Sequence, residues 1–175
     1  MADRAETELE WAGPDMGLHE ECGVFGMYDK TGGTDMVSAV YSALYALQHR
    51  GQEACGIATI NDREQSFYKD VGLVSEVFDK QTLQRLNGTM AVGHVRYATT
   101  GARERENAQP LTIKYVKGTL AVVHNGNLVG VDQLRQKFEY QGAIFHTTSD
   151  SELIAYAIAQ ARLRCGSVEE AVCQA

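Results

Sequence analysis

Cys22 stands in the stretch LHEECGVFGMYDK, between a charged leader and an apolar run punctuated by glycine. Two readings of this cysteine are open. It can be a small buried hydrophobe that opens a strand, as free cysteines often are. Or everything before it is removed, and Cys22 becomes the N-terminal residue. A terminal α-amine has a reference pKa near ~8, so the thiol would then carry its own general base.

Four polar clusters further along have residue types that suit such a nucleophile, and each also has a plainer explanation. HRG at 49–51 could line a pocket through Arg50 and Gly51, or it could close a helix, where cations and a following glycine are favoured. HNGN at 124–127 could aim the Asn125 amide and the Gly126 N–H at a developing oxyanion. It could equally be the tight turn of a hairpin. SDSE at 149–152 offers Asp150 as a clamp for a substrate ammonium, or a capping box with Ser149 as N-cap and Glu152 at the third helical position. HVRYATTG at 94–101 presents Arg96, either an exposed strand charge or a guanidinium fork for a carboxylate.

Taken together these pieces fit one chemistry. A thiol and an oxyanion donor pair specify acyl transfer, and clamps for a carboxylate and an ammonium specify an α-amino acid. The expected reaction is attack on an amino-acid side-chain amide.

The elements that must position these groups follow from periodicity. CGVFGMYD alternates as a strand, with Cys22, Val24, Gly26 and Tyr28 on one face and Phe25 and Met27 on the other. DMVSAVYSALYALQHRG places Val37, Val40, Tyr41, Leu44 and Leu47 on one helical stripe, with Asp35 as N-cap and Gly51 as stop. GIATIND and SFYKDVGLV read as a hairpin across NDREQ, and SEVFDKQTLQRLNG as a short helical segment. MAVGHVRYATTG and GTLAVVHNGNLVG read as strands, with ARERENAQP as a polar loop between them. Helices are expected at DQLRQKFEYQ, SDSELIAYAIAQARLR and SVEEAVCQ, with a short AIFHTT strand before the second. This order implies an α+β fold with largely antiparallel sheets rather than regular βαβ winding.

Composition bounds the class. The chain has 175 residues, 44% of them hydrophobic, which suits one soluble domain. Its apolar runs fall short of the roughly 20 residues that span a bilayer, and residues 1–21 lack the apolar core of a secretory signal. The cytoplasm is therefore the expected compartment. Seven carboxylates and one Arg in residues 1–21 supply −6 of the net charge of −7. The acidity thus belongs to the leader and points to no nucleic-acid or membrane partner. Cys22, Cys55, Cys165 and Cys173 form no CxxC pair, so thiols are expected and no metal is assigned.

The motifs CGVFG, HRGQEACGIAT, GHVRYATTG, NAQP, HNGNLV and TSDSE, in this order, resemble the class-II glutaminase domain of the glutamine phosphoribosylpyrophosphate amidotransferases. The resemblance runs from about Glu20 through the helix after Asp150. Tyr97 and HNGNLV separate it from sister families, where glucosamine-6-phosphate synthases would carry Trp at the tyrosine position. The resemblance implies a four-layer αββα sandwich of the N-terminal-nucleophile hydrolase type. It implies L-glutamine as substrate, residues 1–21 as a propeptide and residues 22–175 as the amidotransferase domain. Cys22 is then similar to the nucleophile, and Asn125 and Gly126 to the oxyanion hole. Arg96 is similar to the α-carboxylate ligand, with Tyr97 and Thr99 beside it on a closing loop. Asp150 is similar to the α-amino ligand, and Arg50 and Gly51 to the HRGQ pocket segment.

Members of that family pass ammonia to a phosphoribosyltransferase domain and assemble as homo-oligomers. Magnesium and, in some members, an iron–sulfur cluster belong to the C-terminal part, so no cofactor is expected in this chain. The sequence stops after helical sequence with no closing strands, which reads as a C-terminally incomplete glutaminase domain. The rival readings are a class-II glutaminase feeding another acceptor and a non-catalytic glutamine-binding relic.

Overall fold

The computed structural model describes residues 21–61, 64–97 and 105–175. Thr99 and residues 1–20 of the leader lie outside the described residues.

Among the described residues, six strands form two antiparallel sheets. β1 (Gly23–Tyr28), β2 (Ala54–Asn61), β3 (Glu64–Val71) and β4 (Met90–Arg96) make a four-stranded sheet in the order β1-β4-β2-β3. β5 (Leu111–Tyr115) and β6 (Gly118–Val122) make a two-stranded sheet. The chain is thus a mixed α and β domain, as its alternating periodicities require.

The helix α1 (Met36–Ala46) covers one face of the larger sheet. Asp35 caps it by accepting the Ser38 N–H at 3.0 Å. Its stripe of Met36, Val37, Val40 and Leu44 is buried against Cys55, Ile57, Ala91 and Val95 of the sheet, with Phe25, Met27, Tyr41 and Leu47 packed at the margin. β1 alternates as its sequence dictates, with Val24 and Tyr28 exposed on the opposite face. After Ala46 the chain tightens into a 3-10 turn, Gln48–Arg50, and leaves through Gly51 in extended backbone.

The expected single helix after β3 is two short ones, α2 (Val74–Val77) and α3 (Lys80–Arg85). Asp79 causes the break, because its carboxylate accepts the Thr82 N–H at 2.7 Å and starts a new helix.

A second core lies under α4 (Val131–Tyr140) and α5 (Ser151–Arg162), where Phe138, Ala143 and Leu153 are buried. α5 packs against β5 and β6 and is followed by α6 (Val168–Gln174). Three expectations fail in this half. The hairpin turn falls at Val116 and Lys117, between β5 and β6, and not at Asn125-Gly126. The AIFHTT segment forms no strand. The capping box at SDSE is absent: α5 begins at Ser151 with Asp150 as N-cap, and no side chain caps it. One residue explains the last two. The Glu152 carboxylate turns away from the helix and accepts the His146 N–H at 2.9 Å and the Thr147 N–H at 2.8 Å. It satisfies that backbone without a partner strand.

Candidate active site

Cys22 immediately precedes β1, so the pairing of Gly23 with Val95 of β4 fixes its position. Its Sγ accepts the Tyr97 N–H at 3.4 Å, one residue beyond the end of β4. Its carbonyl is held from two sides, by Arg50 Nε at 3.0 Å and Asn125 Nδ2 at 3.3 Å. Burial pushes the thiol pKa up, against the opposing pull of the Tyr97 N–H and the Arg96 charge. With Glu21 still attached, Cys22 is therefore a thiol at neutral pH, and a neighbouring base is needed to make it a nucleophile.

A cleft of about 310 Å³ opens beside Cys22. Arg96 and Tyr97 come to it from the end of β4, Gly126 from the loop after β6, and Ser149 and Asp150 from the start of α5. Residues 128 positions apart in sequence thus share one wall, brought there by sheet register and by α5 packing on β5 and β6.

The loop carrying Asn125 and Gly126 is held by a buried polar network. The Gln109 side chain pins the His124 backbone in both directions: Oε1 accepts the His124 N–H at 2.7 Å, and Nε2 donates to the His124 carbonyl at 3.2 Å. His94 Nε2 reaches the same carbonyl at 3.2 Å. A carbonyl can only accept, so Nε2 carries the proton. Burial pushes the His94 pKa down to about 4, which keeps the ring neutral. Ser151 Oγ ties His124 Nδ1, at 3.1 Å, and Gln109 Nε2, at 3.2 Å, to the first turn of α5. Gly126 sits at φ +153°, where a side chain would be strained and where its Cβ would meet the His124 ring at 3.0 Å. The network fixes the loop, and the glycine permits its shape.

The two charged groups of the cleft are themselves oriented. Arg96 Nη1 donates to Glu53 Oε1 at 2.6 Å, and Glu53 is buried. The Glu53 N–H also donates to the Arg96 carbonyl at 3.1 Å, so backbone and side chain lock the pair together. Asp150 Oδ2 accepts the Leu128 N–H at 2.7 Å, joining the α5 terminus to the 124–128 loop. A carboxylate and a guanidinium in one small cleft suit an α-amino acid zwitterion.

Of the residues singled out in the sequence, Cys22, Arg96, Tyr97, Gly126 and Asp150 line the cleft, and Asn125 reaches the Cys22 carbonyl. Arg50 and Gly51 lie behind Cys22 and outside the cleft wall. Gly51 allows close packing there, since a Cβ would fall 2.6 Å from the backbone of Val95 and Arg96. Sequence reasoning missed Glu53, His94, Gln109 and Ser151. Their one signal is polarity inside otherwise apolar or turn-rich segments, as in GHVRY and NAQP.

Fold and site together define a class: an amidotransferase-type domain whose cysteine sits at the head of a strand, with a guanidinium and a carboxylate in the same cleft. A family model described as a glutamine amidotransferase domain matches residues 78–167, just over half of the chain, and the chain belongs to that family. More particularly, it is similar to the amidophosphoribosyltransferase of Methanocaldococcus jannaschii, with 44% identity over 151 residues, 86% of this chain and 32% of that protein. The Bacillus subtilis amidophosphoribosyltransferase is 46% identical over 143 residues, 81% of this chain and 29% of that protein. Among solved structures, glutamine phosphoribosylpyrophosphate amidotransferase from B. subtilis complexed with ADP and GMP superposes with a TM-score of 0.72 at 40% identity, covering 85% of this chain and 31% of that one. A structure of the allosteric regulatory enzyme of purine biosynthesis gives a TM-score of 0.75 at 41% identity, covering 85% of this chain and 31% of that one. The chain spans about a third of the length of the curated relatives it matches.

Proposed function

We propose that this chain is the glutaminase half of an amidophosphoribosyltransferase, releasing ammonia from the glutamine side chain for the first committed step of purine synthesis. The observation that carries the reading is that Cys22, Arg96, Gly126 and Asp150 line one cleft of amino-acid size. Residues 1–21 are removed, and the freed α-amine of Cys22 takes the thiol proton. The thiolate attacks the glutamine amide carbon while Arg96 holds the α-carboxylate and Asp150 the α-ammonium. Asn125 Nδ2 and the Gly126 N–H receive the developing oxyanion. Ammonia leaves, and water hydrolyses the γ-glutamyl thioester. The reaction uses side chains, the freed α-amine, a backbone N–H and water. The domain takes the four-layer αββα form of N-terminal-nucleophile hydrolases and works in the cytoplasm, beside a phosphoribosyltransferase domain in a homo-oligomer.

Intact mass before and after exposure to a glutamine-like diazoketone tests this reading. One adduct on Cys22 is expected, blocked by excess glutamine and abolished by Cys22→Ala with folding preserved. Cys55 offers little competition, since it is buried and its thiol is pushed up to about 12. Labelling that survives Cys22→Ala would overturn the reading.

A further inference from the structure

Arg50 contacts both carbonyls that flank the Cys22 residue. Its Nη2 donates to the Glu21 carbonyl at 2.9 Å, and its Nε donates to the Cys22 carbonyl at 3.0 Å. The first of these carbonyls belongs to the Glu21–Cys22 peptide bond. Asn125 Nδ2 meets only the second. Arg50 is thus placed on the one bond that must break if the leader is removed, and it stands outside the cleft where glutamine would sit.

We infer that Arg50 is the catalytic oxyanion donor for self-cleavage of the Glu21–Cys22 bond, a second reaction of this fold separate from glutamine hydrolysis. The inference rests on the reading of Cys22 as a nucleophile exposed by loss of the leader. In the first step the Cys22 sulfur pair attacks the Glu21 carbonyl carbon, and the carbonyl π pair moves onto oxygen. The guanidinium already bonded to that oxygen stabilises the charge more strongly in this intermediate than in the ground-state carbonyl. Collapse breaks the C–N bond, and the thiol proton ends on the departing nitrogen as part of the new α-amine. Glu21 is then held as a thioester on Cys22. Water hydrolyses it, releasing residues 1–21 with a C-terminal carboxylate and restoring the thiol. Nε keeps its bond to the Cys22 carbonyl throughout, so the new terminus stays in place after the leader departs.

The position of Arg50 has an independent structural basis. It ends the Gln48–Arg50 turn, and Gly51 next to it packs against the β4 backbone too closely for a Cβ. The Gln48 side chain donates to the Gly51 carbonyl and accepts the Val74 N–H at 2.6 Å, so the turn is tied to α2. A long, otherwise mobile side chain is therefore anchored at its root, as preorganised electrostatic stabilisation requires.

The test follows leader loss by intact mass in freshly translated leader-bearing chains, wild type beside R50Q and R50K. R50Q should cleave on the order of 10²- to 10³-fold more slowly, the cost of losing one oxyanion donor. R50K keeps a charge but loses the two-pronged contact, and it should fall between the two. Hydroxylamine separates this role from simple anchoring, because it intercepts a thioester as the 1–21 hydroxamate. It should speed wild-type leader release and leave R50Q slow. Wild-type cleavage rates in both variants would overturn the inference, and so would hydroxylamine release from R50Q at the wild-type rate. A wild-type chain that never cleaves would overturn it as well. Diazoketone labelling of a chain made to begin at Cys22 reports on the glutaminase reading separately. Should R50Q fold poorly by thermal melt, the R50K rate alone decides.

Discussion

At the scale of single residues, the site depends on side chains that orient other side chains. Glu53 is the clearest case, a buried carboxylate whose Oε1 lies 2.6 Å from Arg96 and which no part of the cleft wall includes. Replacing it by Gln keeps the shape and one acceptor while removing the charge. Glu53→Gln should raise KM for glutamine about 10- to 100-fold with kcat much less affected, since a hydrogen bond to a charged group contributes ~1.5–3 kcal/mol. Steady-state kinetics check this, and a fall in kcat at constant KM would count against it. Glu53→Ala should also destabilise the fold by about 3–5 kcal/mol, because it removes one partner of a mostly buried ion pair. The groups proposed to touch substrate were legible in the sequence because thiol, guanidinium, amide and carboxylate each announce a chemistry. Glu53 was not. Its role comes from the pairing of Ala54 with Arg96, a register that spacing along the chain does not reveal.

At the scale of elements, local signals won where one element could satisfy itself. The α1 stripe, the Asp35 cap and the β2–β3 pairing follow directly from periodicity. They failed where a distant side chain took over the backbone, as Glu152 does for the 146–147 segment. β5 and its turn were illegible because Val116 and Lys117 carry no turn signature, while Asn125-Gly126 carries a strong one used for another purpose. Strands β4 and β2 make one prediction each. His94 is neutral in both folded and unfolded chains above about pH 6.5. Below that the unfolded ring takes a proton that the folded ring refuses until about pH 4. Stability therefore falls as pH drops through this window, by on the order of 3 kcal/mol. Denaturant melts at stepped pH should show that slope in wild type and a flatter one in His94→Gln. Gly56 of the paired strand β2 supplies the second. A Cβ there would lie 2.3 Å from the Gln109 carbonyl oxygen. Gly56→Ala should cost about 1–3 kcal/mol through overpacking. It should also weaken diazoketone labelling, since Gln109 holds the 124 loop.

At the scale of the whole molecule, the cleft lies on the seam between two cores. Cys22 and Arg96 belong to the sheet packed on α1, and Asp150 belongs to the helices packed around Leu153. The halves are joined near the site by short polar links, such as His94 to the His124 carbonyl and Asn107 to Thr148. Leu153→Ala empties a fully buried position in the second core and should cost about 2–5 kcal/mol. Its effect on exchange should be uneven, with amides of α4 and α5 losing protection before those of β2 and β4. Uniform loss by hydrogen exchange would show instead that the two cores open together. Finally, the six residues from Gln48 to Glu53 meet α2 through Gln48, the leader junction through Arg50, the β4 backbone through Gly51 and the carboxylate clamp through Glu53. On the proposed reading, a deletion or frame slip there would strike the birth of the nucleophile and the grip on its substrate at once. If both proposals hold, selection acting on either trait guards the other, and a descendant could not shed glutamine binding through this segment while still producing a matured terminus.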